Sequence, residues 1–177
     1  MPRYQRRSSL TSWLVRPLGL PNSSVTTSCT LYLQCRFQVG NTELFAQGDW
    51  EHQLSVAKTA GIDAFALNMA FNDTTNDIAL PMAFAAATNV GFKLFFSFDY
   101  AGNGAWPKDL VTSIIQRYAS HEAYFHRGSQ PFVSTFEGPG NMTDWPGIKK
   151  DTGCFFMPDW SSIGAKPAAA AGIAGKS

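Results

Sequence analysis

Charge is scarce in this chain: charged side chains make up 15% of its 177 residues and the formal net charge is +1. That leaves no strong field to draw in nucleic acid or an acidic membrane surface. The one basic concentration, Arg3, Arg6 and Arg7, has the pattern of a short solvated tail. Cysteine is sparse as well. Cys29, Cys35 and Cys154 show no metal-ligand spacing, and an odd number cannot all pair within one chain; a Cys29–Cys35 bridge stays open. His52, His121 and His126 have no carboxylate or cysteine at ligand spacing and read as solvated surface side chains. No apolar run approaches the roughly 20 residues of a membrane span. Arginines precede Leu14, Val15, Leu18 and Leu20, yet Arg16, Pro17 and Pro21 interrupt them, so no export signal is recognisable. A glycine-rich phosphate cradle is also missing. Gly102 and Gly104 alone are too little for a phosphate-binding α/β enzyme.

What is present is apolar. At 45% hydrophobic and 14% aromatic residues, the chain has enough to bury the core of one domain, and most of its Phe residues are expected there. Residues 1–30 are rich in Ser, Thr, Pro and Arg without sustained periodicity, which reads as a poorly ordered leader. A folded unit is expected over 31–164 and an irregular tail over 165–177.

Within that unit, four short apolar runs end in a polar or acidic residue: AFALN on Asn68, KLFFSFD on Asp99, PFVSTFE on Glu137 and CFFMPD on Asp159. A buried strand has no use for a carboxylate, whereas a parallel β/α barrel carries its working residues at the C-terminal ends of its strands. Between the runs lie helical patterns. Asp49 is placed to cap a helix with Trp50, Leu54 and Ala57 inward and Gly61 as its stop. An alanine-rich helix is expected to open at Pro81 and close at Gly91. Pro107 begins another, with Leu110, Ile114, Ile115 and Tyr118 on one face, and a short helix follows Asp144. Strands are expected at Leu31–Val39, Ala64–Leu67, Lys93–Phe98, Pro131–Phe136 and Cys154–Met157. Strand, helix and strand recur about every 30 residues, the size of a βαβ unit. The fold class is α/β with about five parallel strands, where a closed barrel needs eight. Two architectures fit: an open doubly wound sheet or part of a (β/α)8 barrel.

The segments VGNT, DWEHQLSVAKTAGIDAFALN, GFKLFFSFDY, PFVSTFEG and FFMPDWSS, in this order and at these intervals, resemble the N-terminal half of the catalytic domain of glycoside hydrolase family 71, the fungal α-1,3-glucanases or mutanases. The resemblance covers roughly Phe37 to Gly164. It implies a TIM-type barrel, secretion by a fungus, and endo-acting, inverting hydrolysis of α-1,3-glucosidic bonds in cell-wall or biofilm glucan. It implies no metal or organic cofactor, and as partner the α-1,3-glucan polysaccharide rather than nucleic acid, a membrane or an obligate protein. Arg36 stands where the family has a histidine, CRFQVGNT against a phrase like AHFMVGNT. The family's catalytic Asp and Glu lie in a downstream phrase like TWNDYGES, which this sequence does not contain.

Inversion needs one protonated carboxyl and one ionised carboxylate, about 6.5–9.5 Å apart. From the residues alone, Asp99 and Glu137 are that pair. The resemblance instead puts the acids downstream, which leaves no catalytic residue in this chain and makes Asn68, Asp99, Tyr100, Glu137, Asp159 and Trp160 substrate-binding candidates. Helix capping competes for the carboxylates, an Asx turn for Asn68, and ordinary packing for Tyr100 and Trp160. Asp63, before its strand, reads as a cap or buried ion pair, Trp50 and Trp145 as core, and Met69, Met82 and Met157 as packing residues. The expected function is therefore that of an incomplete, inactive α-1,3-glucanase fragment; the alternative is a noncatalytic carbohydrate-binding remnant. Asn22, Asn72 and Asn141 each head an N-x-S/T triplet, an acceptor for glycosylation if the chain is secreted.

Overall fold

The computed structural model describes residues 34–175. The expected leader and the Cys29–Cys35 bridge lie outside the described residues. In order, the elements are β1 Gln34–Gln38, a 3-10 turn Val39–Thr42, α1 Gln47–Thr59, β2 Ala64–Ala70, α2 Thr75–Val90, β3 Lys93–Asp99, α3 Lys108–Tyr118, β4 His126–Arg127, β5 Gln130–Phe136, a 3-10 turn Pro139–Asp144, α4 Trp145–Thr152, β6 Phe155–Asp159 and α5 Ala165–Ala170. Five strands run parallel in the order β1-β2-β3-β5-β6, while β4 forms a tight antiparallel hairpin with β5. Within 165–177, read as an irregular tail, α5 forms and Gly175 bridges Phe156 antiparallel.

Helix boundaries follow local chemistry, with corrections. Asp49 is the third residue of α1 rather than its cap, and its carboxylate accepts the Ala46 N–H at 2.8 Å, satisfying one orphan donor of the first turn. Pro81 lies inside α2, not at its start. The helix begins earlier because Asp73 accepts the Thr75 N–H at 2.9 Å. The lost bond at Pro81 is tolerated because Ala79, Leu80, Ala83, Phe84, Ala86 and Ala87 are all buried. Gly91 ends α2 at φ 63, a left-handed turn that favours glycine. In α3, Val111 and Ile115 form the buried seam, one turn apart, and Leu110 is 46% exposed, contrary to expectation.

The sheet has two unlike faces. On the outer one, helices supply aromatic partners: Trp50 against Phe37, Phe84 against Phe96, and Trp145 stacked on Phe156. On the inner one, Phe95, Phe132 and Phe155 pack on each other at centroid distances of 4.9 and 5.7 Å, joined by Phe125. The inner face curls on itself, and Arg36 of β1 reaches Asp159 of β6. Helices on one side of a curled parallel sheet make a sector of a β/α barrel; a doubly wound sheet carries them on both. Met157 faces inward on β6 and is 53% exposed, so it is not the packing residue expected: among the described residues only the single bridge at Gly175, a residue without a side chain, pairs with β6 on the side away from β5. His121 and His126 are half-buried rather than solvated. His121 lies against Phe84 and accepts the Ala123 N–H, and His126 donates to the Tyr124 carbonyl.

Replacing fully buried Phe96, which touches Phe84, Phe98, Tyr118 and Tyr124, by alanine is expected to lower unfolding free energy by about 3–5 kcal/mol. Leu110→Ala should change it by no more than about 0.5 kcal/mol. Urea denaturation of both variants checks the pair, and equal losses would contradict this packing.

Candidate functional site

The parallel register brings inner-face residues into rows across the sheet. Gln38, Asn68, Ser97, Ser134 and Met157 make one row, and Ala70, Asp99, Phe136 and Asp159 the next, at the C-terminal rim. The polar ends of the apolar runs therefore share one edge, as their repetition suggested.

At the centre of that edge is a buried network. Ser97 donates to the Asn68 carbonyl oxygen at 3.0 Å, and the Asn68 amide nitrogen donates to Asp99 Oδ2 at 2.9 Å. The other Asp99 oxygen accepts the Ala101 N–H at 2.9 Å. Since Ser97 fills the acceptor end of the amide, Asn68 is held with its donor toward Asp99. Asn68 lies within β2, which removes the Asx-turn alternative, and is 2% exposed; Asp99 is 8% exposed. The loop after β3 folds close over this group. A Cβ on Gly102 would stand 2.8 Å from the Cβ of Ala70 and 3.6 Å from the Asp99 carboxyl carbon.

Glu137 follows β5 in the left-handed region at φ 56, unusual for a residue other than glycine. Its carboxylate accepts Ser161 Oγ at 2.6 Å and the Ser162 N–H at 3.0 Å on one oxygen, and the Ser162 hydroxyl on the other. Those bonds, from Ser161 first and then Ser162, hold its carboxyl below the ordinary glutamate value, with a smaller contribution from Arg36. It ties the loop after β5 to the turn after β6. Asp159, last in β6, pairs with Arg36, whose guanidinium lies 4.2 Å from the centre of the Phe136 ring. Tyr100 and Trp160 are 9% and 3% exposed. Burial, and then Asp144, pushes the Tyr100 phenol well above its ordinary value. The ring carbons of Tyr100 crowd Gly138, where a Cβ would stand 2.5 Å away.

Chemically, the rim offers carboxylates that act as acceptors. Ser97, Arg36 and the Ser161–Ser162 turn join it without having been singled out as site residues. Ser97 had a readable signal, since alternation in KLFFSFD puts it on the face of Asp99. The Arg36 contact spans 123 residues and has no local signal. Among the described residues no group of three or more His, Cys, Asp or Glu could hold a metal ion, and no helix is long and apolar enough to cross a membrane.

A curled parallel sheet with outer helices and carboxylates at the C-terminal rim has the layout of β/α-barrel hydrolases. The chain belongs to glycosyl hydrolase family 71, whose pattern matches residues 31–175. It is 34% identical to a mutanase of Penicillium rubens over 121 residues, covering 68% of this chain and 27% of that protein. It is 31% identical over 153 residues to glucan endo-1,3-alpha-glucosidase agn1 of Schizosaccharomyces pombe, covering 78% and 36%. An ascus wall endo-1,3-alpha-glucanase of the same yeast is 26% identical over 157 residues, covering 80% and 34%. The chain thus spans about a third of the length of these relatives. Among solved structures it is similar in fold to a GH99 endo-alpha-mannosidase of Bacteriodes thetaiotaomicron, with TM-score 0.54 and 13% identity over 63% of this chain and 39% of that one.

The lowered Glu137 value fixes a sign for stability. A carboxyl with a depressed folded-state pKa adds stability above the unfolded-state value, near pH 4.5, and loses it as pH falls through the folded value. Glu137→Gln should therefore destabilise at pH 7 by less than about 1 kcal/mol, given its exposure to solvent. The gap from the parent should narrow as pH falls below 4.5, in thermal melts recorded against pH; a gap independent of pH would remove the carboxylate from this role.

Proposed function

We propose that residues 31–175 form the first part of an α-1,3-glucanase barrel and supply one wall of its glucan cleft. The carrying observation is the Ser97–Asn68–Asp99 network at the C-terminal rim of a chain matched to family 71. Relatives named for cutting 1,3-α-glucan support the substrate, and one named for the ascus wall supports action outside the cell. In this reading Asp99 and Asp159 accept sugar hydroxyls at the rim. Asn68 holds Asp99 from behind, Glu137 fixes the loop that borders the cleft, and Tyr100 and Trp160 stiffen its wall. The acid pair for endo-acting inversion comes from a TWNDYGES-like phrase and not from these residues. The carboxylates' occupation by fixed donors supports that division, because none is presented as the proton donor of an acid pair.

The same observation favours, as a second reading, a surface that binds glucan without cleaving it. Purified 1–177 incubated with insoluble α-1,3-glucan is expected to sediment with the polymer and to release no reducing ends. Asp99→Asn should weaken retention about tenfold, the effect of losing one charge-assisted hydrogen bond of about 1.5 kcal/mol. Hydrolysis abolished by Asp99→Asn or Glu137→Gln would place the acids here instead, and absence of retention would refute the binding wall.

A further inference from the structure

We infer that Asn72 is an acceptor for an N-linked oligosaccharide and that Asn141 is not, an assignment that rests on the extracellular reading above. Both head an N-x-T triplet, Asn72-Asp73-Thr74 and Asn141-Met142-Thr143, and the fold treats them differently. Asn72 stands two residues beyond β2, exposed, at φ 56. Asparagine adopts this left-handed conformation more readily than most residues, and here it sets the side chain at the apex of a turn. No hydrogen bond engages that side chain among the described residues. Thr74 is also exposed, and although it precedes the first residue of α2 its hydroxyl makes no capping bond. Asp73 between them accepts the Thr75 N–H on its carboxylate. The two groups that an N-x-T acceptor must present are thus open together.

Asn141 is half-buried inside the 3-10 turn Pro139–Asp144, its own N–H bonded to the Gly138 carbonyl. Its neighbour Met142 packs against the core. A bulky polar glycan there would press on the chain; at Asn72 it extends into solvent.

The donor is a polyprenyl-diphosphate-linked oligosaccharide of a secretory compartment. The Asn72 amide nitrogen forms a bond to C1 of the first sugar as the C1–oxygen bond to the diphosphate breaks. The amide proton goes to a base of the transferase, and the polyprenyl diphosphate leaves.

The test is to express the full chain behind a cleavable secretion signal in yeast and follow glycosidase-sensitive mobility together with the mass of the peptide holding Asn72. Asn72→Gln and Thr74→Ala should each abolish modification of that peptide, and Asn141→Gln should change nothing. Thr74→Ala keeps Asn72 itself and so gives the same answer if Asn72→Gln fails to accumulate. An unmodified Asn72, or sugar on Asn141, overturns the assignment. Since the added signal delivers the chain to the transferase, the result does not depend on natural secretion, which is read separately from where the native protein accumulates in its own culture.

Discussion

A parallel sheet covered by helices on one face must find another way to bury the opposite face, because strands of this kind are apolar on both sides. Here the sheet curls, and the inner face covers itself. Phe95, Phe132, Phe155 and Phe125 meet across the concavity near the N-terminal ends of the strands. Toward the other end inward positions turn polar, at Asn68, Ser97, Asp99 and Asp159 among them. The aromatic floor sets the curvature, and the curvature brings the rim residues together.

Polar groups in such a place are tolerated only when satisfied. Asn68 and Ser97 are almost fully buried; Ser97 donates to Asn68 and Asn68 donates to Asp99, so the amide's orientation is fixed before any ligand arrives. Glu137 reaches the same end differently. Its backbone is held in the left-handed region, and three hydrogen bonds to the Ser161–Ser162 turn compensate for that conformation. Both arrangements replace side-chain freedom at the rim with fixed geometry, which lowers the ordering cost of any ligand bound there.

The rim was legible in the sequence because strand ends are written in local composition: an apolar run that closes on Asn68, Asp99 or Asp159 carries its own punctuation. Features set by tertiary burial were not. Pro81 reads as a helix start, and only the buried alanine face of α2 explains why the helix runs through it. The hairpin of β4 has two residues, too short for a periodic signal. His121 looks like a surface residue until Phe84, distant in sequence, is placed against it. Arg36 was visible as a departure from the family's histidine, yet its partner across the concavity was not, since no spacing rule joins residues so far apart.

The Arg36–Asp159 pair joins the first and last parallel strands among the described residues from inside the curve, as a chord joins the ends of an arc. A chord resists opening of the arc and hardly affects twist along it. Both partners remain partly open to solvent, so this restraint is electrostatic and shared with water, unlike the aromatic floor beneath it. Ions at physiological strength screen such charges beyond about 8 Å. The pair is in contact, well inside that range, so salt weakens this chord only in part, and screening does not act on the uncharged floor.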